Sequence, residues 1–205
     1  MKRFAFFSLT VLALSLLACG GSKQKKVIVM ATGDLKVEGS TISIDPSMSY
    51  KEQELIFTDD KVSLVVKSTD GTNKTLEITE PGLYVLNLQK DTLVGGIVNY
   101  GSAGVPGSIK SEEMDKMIDS TVQLMAGKNV SDEKKTYFIV PYNIKKIGTE
   151  VTAIVRSSFR GIPGVVEAGS DGKVPEVYKF FTVKQKRETL ADLQAEREKL
   201  QNLSK

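Results

Sequence analysis

Apolar and polar residues alternate with a period of two over much of the chain after Val27, which is the pattern of half-buried strands. Turn signals such as Asp70-Gly71 and Pro81-Gly82 separate the runs. The runs lie at residues 27–32, 41–44, 61–68, 74–79, 83–88, 92–100, 136–140, 150–158 and 177–183. Short β-rich runs between frequent turns are typical of an antiparallel sandwich or barrel. The pattern therefore predicts a mostly β body over residues 27–183.

A helix is predicted near residues 111–126, inserted between two groups of strands. Ser111 can cap its start, and Gly127 follows its end. Its apolar positions recur at helical spacing: Met114, Met117, Ile118, Thr121, Val122 and Met125. Such a stripe is more often packed on a core than open as a groove for a partner, so we expect packing.

A second helix is predicted at the C-terminus, over residues 184–205. Thr182 and Gln185 have the spacing of a capping box, and leucines follow at 190, 193, 200 and 203. The leucine stripe is narrow, so we expect the helix to dock on the β body; the alternative is a handle for self-association or a partner. With both helices, the predicted class is α+β overall.

The glycine-rich segment 101–110 leaves open whether the strands form one domain or two subdomains divided there. The segment follows a strand and precedes a helix, which is the order of a phosphate-binding loop. Its glycines fit neither dinucleotide nor P-loop spacing, so we interpret it as a hinge without a cofactor.

The first residues are typical of a secretory signal. Lys2 and Arg3 precede a mostly apolar stretch over residues 4–17, and Ala18 is a small residue of the kind found at a cleavage site. The apolar stretch is shorter than the roughly 20 residues that span a bilayer. We therefore predict a signal peptide over residues 1–18.

Cys19 is the one cysteine in the chain, and it follows this signal directly. Leu16-Leu17-Ala18-Cys19 resembles a bacterial lipobox. The resemblance implies cleavage before Cys19 and acyl chains on its thiol and new amine, which would anchor the chain in a membrane. Residues 19–26 would form a lipidated flexible tether. Gly20 in place of aspartate favours the outer membrane, and the basic tether favours a body that faces the periplasm.

Charge and composition exclude several other functions. Removing Lys2 and Arg3 with the signal lowers the formal charge from +3 by two, to +1, so nothing indicates a nucleic-acid partner. With one cysteine, the chain has no internal disulfide. Histidine is absent, which rules out Ser-His-Asp and Cys-His catalysis and the commonest metal ligand. We predict no catalytic residues, no metal and no cofactor.

Three local features remain as candidate sites. Asp59-Asp60 and Glu112-Glu113 are paired carboxylates, but neighbours in sequence do not by themselves stand on opposite sides of a scissile bond, so we expect them at the surface. Arg156 and Arg160 flank a short turn and could together bind an anionic ligand, such as a glycan carboxylate or a lipid head group.

The sequence therefore predicts a lipid-anchored envelope protein that acts as a non-catalytic binding or structural module. Its partners would be the membrane, through Cys19, and another envelope protein, through the C-terminal helix. Two alternatives stay open: a carboxylate-dependent enzyme on envelope polymers, and a carrier of a small ligand or lipid in an apolar cavity.

Replacing Cys19 by alanine is expected to release the protein from the membrane, because no acyl chain can then be attached. Intact mass and membrane fractionation in a Gram-negative host check this expectation. The unchanged protein should start at Cys19, carry acyl mass and sediment with outer membrane. An unmodified cysteine and a soluble unchanged protein would contradict the lipobox interpretation.

Overall fold

The computed structural model describes residues 23–68, 71, 73–98, 111–170 and 172–203. Strands dominate these residues, with one helix inserted between strands and another at the C-terminal end. The predicted class is confirmed: the protein is mostly β, with an inserted short helix and a C-terminal helix, and α+β overall. The predicted signal peptide, Cys19 and the segment 101–110 lie outside the described residues.

Ten strands and two helices make up the described part of the chain. The strands are β1 (Lys25–Glu38), β2 (Thr41–Phe57), β3 (Val62–Lys67), β4 (Asn73–Ile78), β5 (Gly82–Leu88), β6 (Leu93–Ile97), β7 (Thr136–Ile139), β8 (Asn143–Gly148), β9 (Ile154–Ser157) and β10 (Val177–Thr182). The helices are α1 (Ser111–Met125) and α2 (Val183–Leu203).

Six strands form the larger sheet, in the order β4-β3-β2-β1-β5-β8, and this sheet curves into a nearly closed barrel. Side chains join its two edges. Lys74 Nζ donates a hydrogen bond to Asn143 Oδ1 at 2.5 Å, and Lys146 Nζ lies 2.6 Å from Glu80 Oε2, just after β4. No backbone pairing between β4 and β8 is present in the described residues, so side chains complete the closure.

β1 is the strand that both packing layers share. Successive side chains of a strand point to opposite faces. Val27 and Val29 face the interior of the larger sheet, while Ile28 and Met30 face the smaller sheet, and all four are at most 5 % exposed. Because both faces are buried, this segment is continuously apolar and lacks the polar alternation of a surface strand.

Apolar side chains fill the interior of the larger sheet, and all six of its strands contribute to this core or pack against it. The fully or largely buried members are Val27, Val29, Ala31, Ile42, Ile44, Val62, Leu64, Val66, Leu76, Ile78, Tyr84, Leu86 and Leu88.

The smaller sheet has the order β7-β6-β10-β9 and packs on the outer face of β1 and β5. Tyr137, Tyr178 and Phe180 are its largest fully buried side chains.

The glycine pair in β6 allows the neighbouring strands to approach closely. A Cβ at Gly95 would collide with the backbone of β10, and one at Gly96 would collide with the backbone carbonyl that precedes β7.

The two helices pack against each other and touch the smaller sheet. Met114 and Ile118 of α1 are buried against Leu190 of α2. This contact confirms the predicted packing for that part of the methionine stripe. Met117 and Val122 of the same stripe are about half exposed.

The predicted capping box at the start of α2 is also confirmed. Thr182 N donates to Gln185 Oε1 at 2.9 Å, and Gln185 N donates to Thr182 Oγ1 at 3.1 Å.

Strand direction differs from the expected antiparallel arrangement. The pairs β1–β5, β2–β3 and β9–β10 are parallel. Alternation along a strand reports which face is buried and carries no information on the direction of its neighbours, so sequence reasoning had no signal for these pairs.

The N-terminal boundary of the body also differs, because Lys25 and Lys26 belong to β1 although they were predicted as tether. Lys25 is 1 % exposed, and its Nζ donates to the carbonyl oxygen of Asp59 at 2.6 Å. A lysine-rich run is ordinarily solvated, and only a backbone carbonyl distant in sequence satisfies this ammonium group.

Strands from both sides of segment 101–110 share both sheets. β6 pairs with β7 in the smaller sheet, and β5 pairs with β8 in the larger one. Backbone pairing therefore connects the described strands on the two sides of that segment in each sheet. β8 itself was not predicted, because its sequence "NIKKIG" is half polar.

A bulge in β1 makes Gly33 a position where we expect a side chain to be poorly tolerated. The register of β1 on β2 shifts between Thr32 and Asp34, and Gly33 has a φ of +127°. A Cβ there would lie 2.5 Å from Ile44 Cγ2 and 2.6 Å from the carbonyl oxygen of Asp45.

Gly33→Ala is therefore expected to lower the free energy of unfolding by at least about 2 kcal/mol, from backbone strain and overlap together. Gly39→Ala is the matched control: its φ is +60°, but nothing lies within 4 Å of an added Cβ. Strain alone should cost about 1 kcal/mol there. Urea denaturation of both variants measures the difference, and equal losses would show that the bulge tolerates a methyl group.

Candidate functional site

The structure brings the two predicted arginines to one carboxylate. Arg156 Nη1 lies 3.9 Å from Glu52 Oε1, and Arg160 Nε lies 3.7 Å from the same oxygen. Arg156 is on β9, and Arg160 follows four residues later, at the end of a turn. The Arg160 N–H donates to the carbonyl oxygen of Ser157 at 3.2 Å and closes that turn. The spacing of the two arginines therefore comes from a hydrogen-bonded turn.

Glu52 holds the turn to the larger sheet. It lies on β2 directly opposite Met30 of β1, so its side chain is on the face that carries the smaller sheet. Its side chain is 8 % exposed, and its Oε2 accepts the N–H of Ser157 at 3.1 Å. One carboxylate thus fixes the end of β9 with one oxygen and faces two guanidinium groups with the other.

A cleft of about 260 Å³ lies between β2 and β9. We call it the arginine cleft and define it by Glu52, Arg156 and Arg160, with the ion pair of Lys26 and Glu54 on its wall, at 2.9 Å between Nζ and Oε2. β9 is an edge strand of the smaller sheet, and this half of β2 has β1 as its one partner among the described strands. Two strand edges therefore form the walls of the cleft.

Lys179 adds a third basic side chain beside the arginines. It lies next to Arg156 in the parallel register of β9 and β10, and its Nζ donates to the carbonyl oxygen of Arg160. Burial lowers the pKa of Lys179, and the charge on Arg156 lowers it further, while Glu52 opposes the shift. The charges of Lys26 and Glu54 cancel each other. The remaining charges are those of Arg156, Arg160 and Lys179, which are positive, and of Glu52, which is negative.

Several N–H donors of the two guanidinium groups have no partner among the described residues. A guanidinium has five N–H groups, and both distances to Glu52 exceed the hydrogen-bonding range of about 2.7–3.2 Å. Arg156 Nη1 makes one long hydrogen bond, 3.4 Å, to the carbonyl oxygen of Val155. Such a pair of planar, partly exposed donors is suited to a carboxylate or phosphate group.

Sequence reasoning found the arginines and missed Glu52 and Lys179. Tyr50, Glu52 and Glu54 are each two residues apart. A predicted strand that continued past residue 44 would have placed these three side chains on one face. No local signal could have paired Glu52 with a turn that lies more than 100 residues later.

A second polar cluster surrounds Glu176. Tyr178 Oη donates to Glu176 Oε2 at 2.6 Å, and Lys135 Nζ donates to Oε1. Burial alone would raise the pKa of Glu176, but the hydrogen bonds from Lys135 and Tyr178 outweigh it and lower that pKa. Burial raises the pKa of nearby Tyr137 to about 12, and its hydroxyl donates to the carbonyl oxygen of Ile147 at 2.6 Å. These groups satisfy one another, which is typical of a structural network.

The paired carboxylates lie at the surface, as expected. Asp60 is 86 % exposed and pairs with Lys23 at 3.1 Å, and Glu112 and Glu113 are exposed in the first turn of α1. Acidic groups at that end of a helix interact favourably with its dipole.

The described residues contain no group of three or more acidic, histidine or cysteine side chains placed to hold a metal ion. None of the helices in that part of the chain is long and apolar enough to cross a membrane. No protein-family profile matches the sequence, and comparison with curated proteins and with solved structures finds no match either. The site must therefore be interpreted from its own chemistry.

Glu52→Gln should destabilise the protein, because the substitution removes the negative charge between two arginines. The amide oxygen of glutamine can still accept the hydrogen bond from the Ser157 N–H. Both arginines are partly exposed, so we expect a loss of about 1–2 kcal/mol, below that of fully buried pairs. Glu54→Gln, on the same face of β2 and half exposed, should cost less than about 1 kcal/mol. Urea denaturation compares the two, and equal losses would mean that Glu52 has no special role.

Proposed function

We propose that the protein is a lipid-anchored component of the bacterial cell envelope whose β body is a non-catalytic binding module. The arginine cleft is its proposed binding site, and an anionic group is the proposed ligand. The observation that carries the proposal is the convergence of Arg156 and Arg160 on Glu52, with most of their N–H donors unused. The lipid anchor on Cys19 and a position at the outer membrane, facing the periplasm, are parts of the same proposal.

Preorganisation supports a binding function. Arginine side chains lose conformational freedom when they grip a ligand, and that loss weakens binding. Here Glu52 holds both guanidinium groups near one point before any ligand arrives, and the turn closed by Arg160 and Ser157 fixes their spacing. An anion with two or more oxygens would find charge, donors and geometry in place.

The enzyme alternative retains one supporting observation, which is that Glu52 and Glu54 both line the cleft. Glycosidases need two carboxyl groups on opposite sides of the scissile bond. These two lie on the same face of one strand, and each faces a basic partner. The carrier alternative would have to use a surface cleft, because side chains fill the interior of the larger sheet.

A contact of α2 with another envelope protein is a further part of the proposal. Leu190 and Leu193 pack toward α1, so this contact would use the exposed, charged face of α2.

Calorimetric titration with inorganic phosphate tests the anion site directly. The mature chain, residues 19–205 with Cys19→Ser, should bind phosphate, and Arg156→Gln or Arg160→Gln should each weaken binding about tenfold or more, because a charge-assisted hydrogen bond is lost. Arg187→Gln, an exposed arginine on α2, is the matched control and should leave binding unchanged. Phosphate binding that is absent, or equal in all three variants, would contradict the proposal.

A further inference from the structure

A second surface cavity lies next to the arginine cleft and has an apolar side. Its volume is about 690 Å³, and it lies between β2, the turn after β9 and the first turns of α2. We call it the aromatic cleft and define it by Met48, Tyr50 and Phe159. Gln185 and Glu188 of α2 line its opposite wall.

The apolar side chains of this cleft are unusually accessible. Met48 is fully exposed and Phe159 is 62 % exposed. The rings of Tyr50 and Phe159 stack with their centroids 4.4 Å apart, so the rest of Phe159 faces solvent beside Met48. Large apolar side chains grouped at the surface of a soluble body are typical of binding surfaces.

The two clefts share no lining residue, but they lie next to each other along β2 and along the turn. Tyr50 and Glu52 are two residues apart on one face of β2, which places them about 7 Å apart. Phe159 and Arg160 are consecutive in the turn. The Phe159 ring contacts the Tyr50 ring in the aromatic cleft, and the Arg160 guanidinium faces the Glu52 carboxylate in the arginine cleft.

Two buried hydroxyl groups lie beside the clefts. Tyr50 Oη and Ser157 Oγ are both buried and lie near each other, and neither has another hydrogen-bond partner among the described residues. Ser157 is 2 % exposed. Burial raises the pKa of Tyr50, and the nearby Ser157 and Arg160 side chains offset this only in part. Buried hydroxyls with so few partners are uncommon, and these two could also bond to a polar group of a ligand.

We propose that the ligand of this surface is an amphiphilic anion, with its carboxylate or phosphate in the arginine cleft and its apolar chain in the aromatic cleft. This inference rests on the proposed anion-binding function and adds the apolar half of the ligand. The charge of Arg156 and Arg160 selects the head group, and the accessible surface of Met48 and Phe159 covers the first carbons of the chain.

Calorimetry with octyl phosphate, octanoate, octanol and inorganic phosphate tests the inference, with each amphiphile kept below its micelle-forming concentration. On the mature chain with Cys19→Ser, octyl phosphate should bind about tenfold or more tightly than inorganic phosphate, because part of its chain leaves water. Octanol should bind far more weakly, because it lacks the charged head group.

Variants separate the two halves of the site. Phe159→Ala should remove the advantage of octyl phosphate and leave the affinity for inorganic phosphate unchanged. Arg160→Gln should weaken both ligands. Val165→Ala removes another strongly exposed apolar side chain, outside the two clefts, and should change neither affinity.

The outcomes distinguish this inference from the proposed function. If inorganic phosphate binds and depends on Arg160, but octyl phosphate binds no more tightly, the inference is overturned and the anion site stands. An equal loss for both ligands in Phe159→Ala would also overturn it, because Phe159 would then only hold the turn. If neither ligand binds, both fail.

A second arm identifies the source of the amphiphile. Vesicles that contain phosphatidylglycerol offer the same chemistry as a bilayer head group. Cosedimentation that Arg160→Gln abolishes would support a lipid head group, whereas binding of octyl phosphate without vesicle binding would support a free amphiphile. Binding to neither form would overturn the inference.

Discussion

The burial of β1 on both faces is the constraint on which the rest of this structure depends. Its odd-numbered residues close the interior of the larger sheet, and its even-numbered residues carry the smaller sheet, so neither layer exists without it. β1 has partners on both edges, antiparallel β2 and parallel β5. The backbone groups and both faces of β1 are used in packing. The candidate site lies instead along the half of β2 that extends past its pairing with β3.

The candidate site is formed by that extension of β2. The second half of β2 has β1 on one edge and, among the described strands, no partner on the other. Tyr50, Glu52 and Glu54 therefore project from the same face beside the turn after β9. Glu52 is the link: it ties the backbone of that turn to the larger sheet and sets the charge that the arginines face. A single side chain thus couples the packing of the two sheets to the chemistry of the cleft.

Polar side chains also complete the fold where backbone pairing stops. The edges of the larger sheet meet through Lys74 and Asn143 and through Lys146 and Glu80, and the backbone after β2 receives the buried ammonium group of Lys25. Such groups are stable in these positions because each has a hydrogen-bond partner. The hydroxyls of Tyr50 and Ser157 have no partner beyond each other among the described residues, and this difference distinguishes the proposed binding surface from the structural networks around it.

The sequence by itself determined the mostly β class, both helices and the capping box of α2, because periodicity and caps are local signals. It also determined that no histidine chemistry is possible. Only the tertiary structure decided the parallel pairs, the burial of Lys25 and the meeting of Glu52 with Arg156 and Arg160. These depend on contacts between residues far apart in the chain, and alternation along one strand does not say which strand, or which charge, lies opposite.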